Sequence, residues 1–140
     1  MPDSLSVQVG GSHYKNLGIQ PIEFCMVNRY DPAAFSTLKY ITRHRAKHGK
    51  EDLLKGRHFV QLRRDILIRE PETRFAFASN VIDIREYCQS NGLPFMETAI
   101  LCDLHLWALG EAGLRPHVIA DFLIQKIDKL IEDTYPEKAE

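Results

Sequence analysis

The chain has 140 residues, 44% of them hydrophobic and 26% charged, with a formal net charge of −1. This length fits one domain, or a compact domain with a helical extension, and the composition excludes intrinsic disorder. Cys25, Cys88 and Cys102 form no C-x-x-C pair, which excludes a disulfide framework and a Cys/His zinc site and points to reduced thiols in a cytoplasmic protein.

Residues 1–12 carry no basic-then-apolar leader and read as a polar arm, in which Leu5, Val7 and Val9 alternate as a short edge strand would. Pro21 suits the first turn of a short helix ending near Asn28. Asp31-Pro32 then gives an N-cap and a first helical residue, and this second helix runs to His44 or Lys47 before His48-Gly49 stops it. Its natural buried set is Ala34, Leu38 and Ile41. A third helix begins near Lys50 with Glu51 and Asp52 in its first turn, where the helix dipole favours acids, and buries Leu53, Gly56, Val60 and Leu67.

Glu70-Pro71-Glu72-Thr73 ends that helix, and residues 74–78 are short, apolar and read as extended. Three more helices follow. One is capped by Ser79 or Asn80 and closed by Asn91-Gly92. The next starts at Pro94, runs through Leu109 and is closed by Gly110 or Gly113. The last runs from Pro116 to about Asp133 with Val118, Phe122, Ile127, Leu130 and Ile131 on its apolar side. The expectation is an all-α bundle of five or six helices, with at most a minor strand near the N-terminus or at residues 74–78. It divides into an arm (1–12), a central region (13–70) and a helical C-terminal region (71–140) packing on it or on a partner subunit. The apolar run 99–109 contains Asp103 and His105 and is too short to span a bilayer, so no membrane is implied. The nearly all-round apolar helix over 94–109 predicts self-association.

Charge is unevenly placed. Residues 39–69 carry a net +7 and the remainder −8, which suggests an anionic ligand or a contact between the basic segment and the acidic part. On a helix, Lys39, Arg43 and Lys47 recur at i, i+4 and i+8 and share one face. Such a face is commonly just solvated, but three aligned cations repel one another unless an anion is near, and a phosphate is the obvious candidate. No G-x-x-x-x-G-K-[ST] occurs, so any phosphate grip is not a P-loop.

Four blocks occur in order: His13-Tyr14-Lys15; Gly18-Ile19-Gln20-Pro21-Ile22-Glu23-Phe24; Lys39-Tyr40-Ile41-x-Arg43; and Lys47-x-Gly49-x-Glu51-Asp52-Leu53-x-Lys55. Over about residues 13–64 the chain resembles the SaV-like, or bacteriophage nucleotide kinase-like, family, long catalogued as a domain of unknown function. It departs from that pattern at Phe35-Ser36, where the family has Gly-Asn, and at Gly56, where the family has Ala.

The resemblance implies a nucleoside or deoxynucleoside monophosphate kinase in a host bacterial cytoplasm, using an ATP-like donor and Mg²⁺. Phosphoryl transfer asks for positioning and cationic neutralisation. Lys39, Arg43 and Asp52 are the candidate catalytic residues. His13, Tyr14, Lys15, Lys47 and Lys55 are candidates for holding base and phosphate, and Glu23 and Asp52 for a metal. Tyr40, beside the cationic stripe, reads as a core-packing residue ahead of a base contact. On this reading Arg43→Ala weakens nucleotide binding and hardly affects folding.

Two other readings stand. A non-catalytic protein of this kind would sequester a nucleotide or bind a host protein. A metal-dependent nucleotide pyrophosphohydrolase would use paired acids such as Asp83-x-x-Glu86 and Asp128-x-x-x-Glu132. Nucleic acid fits less well, because only Tyr40 and Phe59 interleave with the cations.

Overall fold

Proline opens three of the helices in the computed structural model, which describes residues 4–6, 18–70, 77–110 and 116–138. Its ring fixes φ near the helical value, and its missing N–H is no loss in a first turn. The helices are α1 (Pro21–Val27), α2 (Pro32–Arg43), α3 (Lys50–Arg69), α4 (Ile84–Ser90), α5 (Phe95–Leu109) and α6 (Pro116–Thr134). Among the described residues there is no strand, and the fold is all-α. Ser4–Ser6 forms a single 3-10 turn where Leu5 was expected in a strand. Val7, Val9 and residues 74–76 lie outside the described residues, and 77–80 have no regular structure.

Asp31 caps α2 as expected, its Oδ1 accepting from the Ala34 N–H at 2.9 Å. The chain then turns through residues 44–49, and Gly49 takes φ 58° and ψ −126° at the head of α3. Few residues other than glycine adopt that combination. The start of α4 differs from expectation: Asp83, not Ser79 or Asn80, accepts from the Arg85 N–H at 2.8 Å. Residues 79–82 are held elsewhere. Buried Asn28 accepts at its backbone oxygen from Ser79 (2.7 Å) and at Oδ1 from Val81 and Ile82 (2.9 and 2.8 Å), and its amide donates to the Ile82 carbonyl (2.8 Å). Backbone groups committed to Asn28 are not free to open a helix.

α2 and α3 form an antiparallel-type hairpin pair, and α6 lies against both α3 and α5. α5 in turn contacts α2, α4 and α6. The resulting core joins Leu38, Ile41, Leu53, Leu101, Leu104, Leu123 and Ile127. At the crossing of α2 and α3, Gly56 is buried, and a Cβ there would sit 3.4 Å from Ile41 Cδ1. The apolar circumference of α5 is covered largely from within the chain, so it does not by itself require a second copy. On α6 the buried strip is Ile119, Ala120, Leu123, Ile124, Ile127 and Leu130, whereas Phe122 is 49% exposed. The expected strip was therefore one position out of phase at its start.

The two halves of the charge pattern meet inside the molecule. On α3, Arg57 pairs with Asp128 and Arg64 with Asp121, both at 2.8 Å; the acids lie seven residues apart on α6. Buried Arg63 pairs with Asp31 at 2.8 Å and lies over the Trp107 ring. Much of the basic excess is thus answered by acids of the same chain. No helix among the described residues is long and apolar enough to cross a membrane.

Candidate functional site

What these ion pairs leave is a tighter group on the α2–α3 face, centred on Tyr40. Its ring has Lys39 Nζ and Arg43 Cζ each 4.7 Å from the centroid and Lys55 Nζ at 5.6 Å. Phe59 stacks on Tyr40 at 6.1 Å, and Lys39 Nζ also lies 5.5 Å from the Phe35 ring. The four-residue offset from Lys39 to Arg43 places both on one side of α2, and Lys55 arrives from α3 because Gly56 lets the helices approach closely. The half-buried ring faces attract cations through their quadrupole, which offsets part of the repulsion among the three. Lys39 has no acidic partner among the described residues, and Lys55 reaches only the exposed Glu51, at 3.6 Å.

Arg43 is held differently. Its Nη2 donates to Asp52 Oδ1 at 3.1 Å, and the Asp52 carboxylate is fully buried. Asp52 Oδ2 accepts from the His48 N–H at 3.0 Å, with the exposed His48 ring 3.7 Å from Oδ1. Burial pushes the Asp52 carboxyl upward, but the His48 N–H and the Arg43 guanidinium outweigh it and hold the group below its ordinary range. Asp52 therefore fixes both the turn and the Arg43 side chain, and it answers one of the aligned cations, Arg43, but not Lys39.

Of the sequence candidates, Lys39, Arg43, Asp52 and Lys55 are brought together. Lys47 lies exposed in the 44–49 turn and makes none of the Tyr40 contacts described. Glu23 is half-buried in the first turn of α1. No group of three or more His, Cys, Asp or Glu side chains among the described residues is arranged to hold a metal, and this covers Asp83, Glu86, Asp128 and Glu132 as well as Glu23 and Asp52. His13, Tyr14 and Lys15 lie outside the described residues.

A second polar cluster was not anticipated. Buried His44 contacts Glu97 Oε2 through Nε2 at 3.0 Å and the Tyr135 hydroxyl through Nδ1 at 2.8 Å. Arg45 Nε donates to the same Glu97 oxygen at 2.8 Å. Burial raises the Glu97 carboxyl, but the bonds from His44 and Arg45 outweigh it and bring it down to about 2. His44 and Arg45 lie about 50 residues from Glu97 and about 90 from Tyr135, so no local pattern in the sequence brings them together.

A family model described only as a protein of unknown function (DUF3310) matches residues 9–61. The match takes in α1, α2 and the first part of α3, including Lys39, Arg43, Asp52 and Lys55, and its description carries no activity. No curated protein and no solved structure matches the chain.

Proposed function

We propose that the protein binds nucleotides, with the phosphate held by Lys39, Arg43 and Lys55 around Tyr40. The convergence of three cations from two helices on one aromatic ring carries this reading. Lys39 and Lys55 act as point charges toward phosphate oxygens, beside the Arg43 guanidinium that Asp52 orients. Tyr40 and Phe59 supply aromatic surface for a base. The resemblance of the four sequence blocks to phage nucleotide kinase-like proteins supports phosphoryl transfer to a nucleoside or deoxynucleoside monophosphate, without a P-loop. In this reading Mg²⁺ arrives with the nucleotide, carried by its phosphates.

A second reading, binding without transfer, has its own observation. Phe35 stands where the related pattern has glycine, and its ring lies beside Lys39 rather than leaving open space there. The two readings separate experimentally. A thermal-shift screen of nucleoside mono-, di- and triphosphates, with and without Mg²⁺, should show stabilisation, about 2.7 kcal/mol at 100 times Kd. Transfer of labelled γ-phosphate to the monophosphate that binds supports the kinase; stabilisation with no transfer supports sequestration. No stabilisation by any nucleotide would remove both.

A further inference from the structure

We propose that the groove between the head of α5 and the end of α6 is a binding site for a small organic ammonium ion with an apolar body. The site is separate from the Tyr40 cluster and does not depend on the nucleotide reading. The groove encloses about 470 Å³, and its walls include Arg45, Phe95, Met96, Glu97, Leu130 and Asp133. That volume lies within the range of small-molecule sites.

The unpartnered oxygen of Glu97 decides the class of ligand. The walls carry two carboxylates, Glu97 and Asp133, against one guanidinium, and Arg45 is already bound to Glu97 Oε2. A phosphate or carboxylate entering here would face both acids. Glu97 is only 1% exposed; its Oε2 takes bonds from His44 and Arg45, whereas its Oε1 is buried with no hydrogen-bond partner. An ionised oxygen in that position needs a donor, and the ammonium N–H supplies one. Asp133 is shared with Lys129 at 3.1 Å, an exposed pair on one helix face, which is weak and easily exchanged for a ligand cation.

The apolar part of the ligand is met on the other side. Phe95 is 86% exposed, its ring free to lie against a cation or an alkyl chain, and Met96 beside it has a flexible thioether. Contact of the ligand with the covered Oε1 requires a local shift of the groove wall on binding. Leu130 forms an apolar floor.

The test is a titration of the full chain with 2-phenylethylammonium, followed by amide chemical shifts, with 3-phenylpropionate as the anionic counterpart. Saturable shifts at residues 95–97 and 130–134 are expected with the ammonium and not with the carboxylate. Phe95→Ala and Asp133→Asn alter exposed side chains and leave the fold intact, and each should weaken binding about 3- to 10-fold. Glu97→Gln should abolish it, but that variant also disturbs the His44 network, so the two surface variants carry the decision. Absence of saturable binding, equal response to both probes, or unchanged affinity in both surface variants would overturn the proposal.

Discussion

Arg43→Ala should destabilise the protein as well as weaken any ligand it holds. The guanidinium is bonded to a carboxylate that has no exposure at all. Removing it leaves Asp52 with the His48 N–H at 3.0 Å on one oxygen and only an exposed imidazole 3.7 Å from the other. Loss of one partner of a buried pair costs roughly 3–5 kcal/mol, and the remaining backbone bond reduces this to about 2–4 kcal/mol. Relief of repulsion along α2 is smaller, because the flanking lysines are partly solvated. Urea unfolding followed by circular dichroism would measure it, with the midpoint falling by about 1–2 M at an m-value of roughly 2 kcal/mol/M. The sign with pH follows from the carboxyl being held low. The Asp52 contribution is present above the ordinary carboxylate range and is lost as pH falls through the folded value, so wild type and Arg43→Ala should converge in acid. The double variant Arg43→Ala/Asp52→Asn should recover part of the loss at neutral pH. A stability within about 0.5 kcal/mol of wild type for Arg43→Ala would refute the buried-pair reasoning.

Glu97 predicts acid sensitivity of the same sign. Lowering its carboxyl from 4.5 to about 2 contributes up to about 3 kcal/mol, present above pH 4.5 and lost between there and pH 2. Unfolding free energies measured down that range should show a decline that is shallower in Glu97→Gln. Asn28→Ala removes the side chain that ties down Val81 and Ile82 and should cost about 2–4 kcal/mol, with faster hydrogen exchange at those two amides. Unchanged exchange there would mean that the 79–82 segment is held by other contacts.

The helices were legible where a cap and a periodicity agreed. Asp31-Pro32, Gly49 and Gly110 mark ends that local sequence alone dictates, and Ala34, Leu38 and Ile41 bury as their spacing requires. The start of α4 was not legible, because the competing partner of residues 79–82 is Asn28, about 50 residues earlier. Phe122 misled for a related reason: the face α6 buries is set by its contacts with α3 and α5, not by which residues on it are apolar. Lys39 and Arg43 were visible as one stripe on α2, but their meeting with Lys55 over Tyr40 needed the helix hairpin. Asp52 read locally as an acid at a helix start, and only the fold reveals that it answers Arg43. The His44–Glu97–Tyr135 cluster joins three helical regions and leaves almost no trace in sequence.

The most direct test of the central claim uses Lys39, whose charge has no acidic partner among the described residues and whose loss should leave folding nearly unchanged. Calorimetric titration with a deoxynucleoside monophosphate identified by the thermal screen should give an affinity about 10-fold weaker for Lys39→Ala and for Lys55→Ala, with Lys129→Ala on α6 equal to wild type. Added salt should weaken wild type more than either lysine variant. Equal affinity for all four proteins would contradict a phosphate site at Tyr40.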